Sequence, residues 1–213
     1  MPEYPYIAIE GAIGVGKTTL ARLIQKDFNA EVLLEAFGEN PFLSNFYADR
    51  EKYAFQTQIY FLLSRYHQQH RVIQEIIGRA TLISDYTFAK DRLFAHLNLR
   101  GDELALYEQV HAVLATRIPL PSLVVFLRAD TDVLMERISF RDRPYERNMD
   151  RDYIDSVRIA YERFFSAYDQ SPVLVIDTND INFVRNPQDL RAIVGQIRSA
   201  LDEGMRQAPL PDL

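Results

Sequence analysis

Cysteine and tryptophan are both absent from this chain of 213 residues. Without cysteine there is no disulfide scaffold, no zinc–cysteine site and no catalytic thiol, and the lack fits a reducing compartment. No uninterrupted apolar run approaches the roughly 18 residues needed to span a bilayer, so a membrane partner is not expected. Basic residues are in the minority: 24 Lys and Arg stand against 30 Asp and Glu, a net charge of −6. A polyanion-binding surface is usually basic overall, so nucleic acid is not an expected partner either. Repeats, low-complexity runs and long Gly/Ser linkers are missing too, and residues 1–213 therefore read as one domain. The opening MPEYPYIAIE carries an acid at Glu3 and no signal-like pattern, from which a cytoplasmic protein is expected.

Short apolar runs at Tyr6–Ile9, Val32–Leu34, Thr81–Ser84, Leu123–Leu127 and Val173–Ile176 alternate with helix-like stretches. The stretches are Thr18–Phe28, Glu51–Arg79, Phe88–Leu97, Asp102–Arg117, Thr131–Arg141, Asp152–Tyr168 and Pro187–Leu201. Continuous apolar runs suit strands buried on both faces, as parallel strands are. The alternation predicts an α/β fold, a parallel five-stranded sheet wrapped by helices, with ligands beyond the carboxyl ends of the strands.

After the first strand comes Gly11-Ala12-Ile13-Gly14-Val15-Gly16-Lys17-Thr18, followed by Thr19. This is G-x-x-x-x-G-K-[ST] between a strand and a helix, the P-loop pattern. Its glycines let backbone N–H groups face an anion, and the helix N-terminus adds a favourable dipole. Lys17 is expected on the β/γ-phosphates and the Thr18 hydroxyl on Mg²⁺, which makes ATP the expected ligand.

A phosphate cradle needs a metal-side carboxylate, a base and a charge clamp before it can transfer anything. Asp85 ends the strand Thr81–Ser84 and is expected at the cradle as a second metal ligand. Glu35 ends Val32–Leu34 at the same edge, where a carboxylate could accept a proton from an attacking hydroxyl. Arg137 and Arg141 share a helix face, with Arg143 and Arg147 just after, and together they suggest an arginine lid spanning about residues 137–150.

The stretch Glu51–Arg79 carries Ile59-Tyr60-Phe61-Leu62-Leu63 at its centre, apolar all round, which predicts a helix running through the core. Gln58 and Arg65 flank that run seven apart, on nearly the same face. They read either as an internal network, Arg65 with an acid such as Asp91, or as the lining of a pocket for a flat polar ligand. Tyr47, Phe55 and Phe88 could sandwich such a ring.

The string IAIEGAIGVGKTTLA resembles the opening of the deoxynucleoside kinases, and so in order do ENPFLSNFY, FQTQIYFLLSR, SDYTFAKDRLFA, RISFRDRPYERNMDRDYI and IDTNDINF. The similarity covers nearly the whole chain and is greatest to the bacterial purine deoxynucleoside kinases. It implies phosphorylation of a deoxynucleoside 5′-hydroxyl by ATP with Mg²⁺, deoxyguanosine or deoxyadenosine leading, in a homodimer. By this resemblance Glu35 is the general base, Tyr47 and Glu146 hold the sugar 3′-hydroxyl, and Gln58 pairs with the base edge. Arg65 and Asp91 match the pair found in members taking purines or deoxycytidine. Asp85 matches the metal-side acid, Arg137, Arg141 and Arg143 the lid arginines, and Asn179–Phe183, with Asp180, Ile181 and Asn182, the loop along the ATP adenine. One departure stands out. The family usually has an acid, then Arg, then Ser or Thr after the third strand, and here the order is Asp85-Tyr86-Thr87. A lid arginine, Arg141 or Arg143, is expected to substitute.

Two other functions share the cradle. A nucleoside monophosphate kinase needs a cation for the acceptor phosphate, against which Glu35, Glu146 and neutral Tyr47 argue. An ATP-hydrolysing switch commonly needs an acid pair where Asp85 is followed by Tyr86.

Overall fold

The computed structural model describes residues 4–147 and 149–203. Among them five strands form one sheet: β1 (Tyr6–Glu10), β2 (Ala30–Leu33), β3 (Thr81–Ser84), β4 (Leu123–Arg128) and β5 (Val173–Asp177). The order is β2-β3-β1-β4-β5 and every pairing is parallel. All of β1 and β3 is buried, which is why these segments read as unbroken apolar runs rather than alternating ones. The helices are α1 (Lys17–Ile24), α2 (Leu43–Ala48), α3 (Arg50–Ile76), α4 (Lys90–Asn98), α5 (Gly101–Ala115), α6 (Thr131–Arg141), α7 (Arg151–Ser166) and α8 (Pro187–Glu203). Stacked Phe126, Tyr161 and Phe165 tie β4 to α7 at the centre of the core. No helix among the described residues is long and apolar enough to cross a membrane.

Every strand expected from the sequence is present within about two residues, and so is every helix except at its ends. The six-residue α2 was not foreseen, because one and a half turns carry too little periodicity to stand out. Two helix starts carry side-chain caps. Asp49 accepts from the Lys52 N–H at the head of α3, and Asp150 from the Asp152 N–H at the head of α7.

The long helix differs from its expectation. Leu62 is buried but Leu63, beside it, is half exposed, so the centre of α3 is not buried all round. Its buried stripe is Ala54, Thr57, Gln58, Leu62, Arg65, Gln69, Ile73 and Ile76, one face of a helix lying against the sheet. Half of that stripe is polar. A polar stripe facing inward needs a cavity or a network to satisfy it.

Candidate active site

The carboxyl ends of β1, β2 and β3 bring the cradle, Glu35 and Asp85 to one edge of the sheet. The cradle depends on glycine at its ends. Gly11 has φ 144°, and a Cβ there would lie 2.2 Å from the Leu127 carbonyl oxygen of β4. Gly16 has φ 106°, and a Cβ there would lie 2.9 Å from the ring of Phe183. The loop after β5 is therefore packed directly on the cradle, with Ile181 partly buried and Asp180 and Asn182 exposed. Fully buried Glu10 anchors the start of the cradle, accepting from the Thr87 N–H at 2.6 Å, the Thr87 hydroxyl at 2.8 Å and the Tyr161 hydroxyl at 3.2 Å.

One pocket joins the cradle to the polar stripe of α3. Lys17, Thr18 and Asp85 line its phosphate end, and Glu35, Tyr47, Gln58, Arg65 and Glu146 line the remainder. Thr18 Oγ1 donates to Asp85 Oδ2 at 2.5 Å, and the Glu35 N–H donates to Asp85 Oδ1 at 2.8 Å. Asp85 so ties α1 and the end of β2 to β3. A hydroxyl and a carboxylate oxygen in contact at the end of a phosphate cradle fit a magnesium ion, which is usually held by one or two protein oxygens together with substrate phosphates. Lys17 donates to the Gly11 and Ala12 carbonyls at 2.7 and 3.0 Å. Burial and then the charge of Lys90 lower its pKa to about 8.

Glu35 is clamped. Arg65 Nε donates to its Oε1 at 2.7 Å, and Lys90 Nζ donates to its Oε2 at 2.6 Å. Burial alone would raise the Glu35 pKa, but Arg65 and Lys90 outweigh it and hold the carboxyl at about 2. Arg65 is also ion-paired with Asp91, so the internal network is real, and it lines the pocket as well. Asp91 itself is fully buried and is not part of the pocket lining. It stands behind Arg65, where burial lifts its pKa to about 6. Gln58 is buried, lines the pocket, and its Oε1 has no hydrogen-bond partner. An orphaned buried acceptor at a cavity wall is a place for a ligand N–H.

Of the three aromatics proposed to sandwich a ring, only Tyr47 lines this pocket. Phe55 packs at the edge of the core. Phe88 turns to the other side of α4, its ring stacked 4.9 Å from that of His111. Phe37 and Phe61 line the pocket in their place.

The lid arginines separate. α6 ends at Arg141 because Asp142 takes the left-handed conformation, φ 46° and ψ 48°, and the turn swings the chain back over the cradle. Arg141 pairs with buried Glu146 at 2.5 Å, and the Arg143 guanidinium lies 4.3 Å from the centre of the Phe37 ring. Both border the open space in front of Gly14, Lys17 and Thr18. Arg137 reaches the back of the cradle, donating to the Val15 carbonyl at 3.4 Å, and ties α6 to the loop after β5 by donating to the Thr178 carbonyl at 2.6 Å and hydroxyl at 2.9 Å. Arg147 pairs with Asp142 on the surface.

Lys90 is the site residue that reading the sequence missed. Its one signal was a lysine set among apolar neighbours, TFAK, shortly after a strand-end acid.

Comparison with known proteins shows what the chain is similar to. The sequence model of the family described as deoxynucleoside kinase matches residues 7–202. A deoxyguanosine kinase of Lactobacillus acidophilus is 31% identical over 211 residues, 92% of this chain and 91% of that protein. A deoxyguanosine kinase of Bacillus subtilis is 29% identical over 206 residues, 94% of this chain and 100% of that protein. Among solved structures, deoxyadenosine kinase from M. mycoides with bound dATP superposes with a TM-score of 0.78 at 25% identity, covering 92% of this chain and 100% of that one.

Proposed function

The chain belongs to the deoxynucleoside kinase family, and from that premise we propose that it transfers the γ-phosphoryl group of ATP to the 5′-hydroxyl of a purine deoxynucleoside. The observation that carries the reading is the single pocket with Lys17, Thr18 and Asp85 at one end and Glu35, Gln58 and Arg65 at the other. An uncharged acceptor suits a pocket whose walls include Glu35 and Glu146, and a nucleoside monophosphate would meet those carboxylates with its own charge.

In the proposed reaction the 5′-hydroxyl oxygen bonds to the γ-phosphorus while the bond from that phosphorus to the bridging oxygen breaks and ADP leaves. Glu35 takes the hydroxyl proton. A carboxylate held at about 2 is a weak base, so the clamp has to loosen when substrates bind. A nucleobase that draws on Arg65 loosens one side of it. Thr18 and Asp85 would hold Mg²⁺, which when bound neutralises phosphate charge. Tyr47 and Glu146 hold the sugar, Lys17, Arg141 and Arg143 meet phosphate oxygens, and Asp180, Ile181 and Asn182 lie along the adenine.

The purine preference rests on donor and acceptor matching. Arg65 offers only donors and suits a purine O6 or N7, while Gln58 Oε1 awaits a ring N–H or amino group. Relatives named deoxyguanosine kinase, deoxyadenosine kinase and deoxyadenosine/deoxycytidine kinase support it. A cytoplasmic homodimer completes the proposal. Comparing kcat/KM for the four deoxynucleosides with ATP and Mg²⁺ tests it. Deoxyguanosine or deoxyadenosine should lead, with deoxycytidine accepted and thymidine poor. A preference for thymidine would overturn it.

A further inference from the structure

Lys90 is the first residue of α4, and its side chain is only 4% exposed. A buried ammonium is costly to desolvate and is retained where it has a partner or a task. Its partner, Glu35, is already held by Arg65 through the other carboxylate oxygen. Arg65 is shared between Glu35 and Asp91, whereas Lys90 has Glu35 as its one ion-pair partner among the described residues. An ammonium also has three donors, of which Glu35 takes one.

The surroundings say where the remaining charge is directed. Lys90 lines the same pocket as Lys17, Thr18 and Asp85. It is near enough to Lys17 that its charge is the second largest influence lowering that lysine's pKa, after burial. Both ammonium groups therefore stand on the wall of the pocket that contains the cradle, where an anionic phosphoryl group would meet them. No other cation comes from the end of β3. Tyr86 is fully buried, its hydroxyl donating to Gln68 Oε1 at 2.6 Å, and Gln68 is in turn fastened to the Leu34 carbonyl at 2.8 Å. Its ring lies 5.4 Å from Lys90 Nζ, a shelf under the ammonium. Thr87 is spent on Glu10. The lid arginines Arg141 and Arg143 border the space in front of the cradle from the end of α6, whereas Lys90 reaches the pocket from the start of α4 beside Glu35.

We propose that Lys90 is a catalytic residue whose ammonium touches Glu35 and the transferred phosphoryl group together, supplying the positive charge that Asp85-Tyr86-Thr87 lacks. The inference rests on the kinase reading above. As the bond between the nucleoside oxygen and phosphorus forms and the bond to ADP breaks, Glu35 gains the hydroxyl proton and loses its negative charge. Lys90 keeps its proton throughout, and its charge passes from the neutralised carboxyl to the equatorial phosphoryl oxygens. The same cation thus suppresses Glu35 before substrates arrive and becomes available to phosphate as the proton moves.

The test uses Lys90→Met and Lys90→Gln, neutral side chains of similar length that leave Glu35 its contact with Arg65. Turnover should fall by about a hundredfold to a thousandfold, with nucleoside and MgADP affinity by calorimetry changed by less than about threefold. Affinity for MgADP with aluminium fluoride, a mimic of the transferring phosphoryl group, should fall by at least about thirtyfold. Lys90→Arg should restore part of both. In a Glu35→Gln background Lys90→Met should still cost turnover, because a residue that only held Glu35 would then have nothing left to do. Turnover within about threefold of the parent, or a loss that vanishes in the Glu35→Gln background, would overturn the role. Wild-type protein inactive on all four deoxynucleosides would strike the kinase reading instead, and the fluoride mimic would still decide whether Lys90 meets a phosphoryl group.

Discussion

Arg65 grips Glu35 through two nitrogens, Nε at 2.7 Å and Nη2 at 2.5 Å from the same carboxylate oxygen. The residue proposed to face the base is therefore also a restraint on the group proposed to take the proton. A ligand that hydrogen-bonds to Arg65 can release Glu35, which links recognition of the base to the chemistry at the other end of the pocket.

Removing that guanidinium leaves two buried carboxylates, Glu35 and Asp91, without their main partner. Arg65→Met should destabilise the fold by about 3–5 kcal/mol in urea unfolding. Adding Asp91→Asn should recover part of the loss, because one of the stranded charges is gone. A double variant no more stable than the single one would show that Arg65 and Asp91 are not energetically coupled.

Glu35→Gln keeps the shape of the side chain but cannot accept a proton. Turnover should fall by about a hundredfold, with ATP affinity little changed. Near-normal turnover measured by product formation would leave Glu35 a positioning role only.

Lys17→Ala removes the ammonium proposed to meet charge that grows in the transition state. A loss of about 2.7–4 kcal/mol, a hundredfold to a thousandfold in rate, is expected with the circular dichroism spectrum unchanged. Wild-type turnover in a folded Lys17→Ala protein contradicts the phosphate-cradle assignment.

His111 predicts a pH dependence of stability. It is buried between Phe88 and Tyr107, with Arg92 and Glu108 as the charged groups nearby, and burial then Arg92 lower its pKa to about 4. The fold favours neutral imidazole, so this contribution is present above about pH 6.5 and is lost as pH falls towards 4, on the order of 2 kcal/mol. Asp91, lifted by burial to about 6, acts in the opposite sense over the same window. The informative quantity is therefore the difference between wild type and His111→Phe, measured by urea unfolding at pH 7 and pH 4.5. The variant should lose less stability on acidification, and an identical pH slope in the two proteins rules the assignment out.

The strands, the cradle and most of the helices were legible from residue order because each depends on neighbours within a few positions. An unbroken apolar run announces a strand buried on both faces, and the spacing of Gly11, Gly16, Lys17 and Thr18 announces a turn that no other residues allow so closely against Leu127 and Phe183. Glu35, Asp85 and Gln58 could be named in advance because strand ends and one helix face bring them to a predictable edge. What the chain order could not carry was the pairing across elements. Glu35 and Lys90 are 55 residues apart, and their contact exists only because β2 lies beside β3 and α4 begins just past the end of β3. The same is true of Arg137 tied to Thr178 and of Phe88 turned towards His111. Periodicity tells which face of a helix is buried, but the rotation and depth at which that helix meets its neighbours are set by packing against the whole core. Tertiary structure alone therefore decided that the positive charge beside Glu35 comes from a lysine at the start of α4, with Tyr86 buried beneath it.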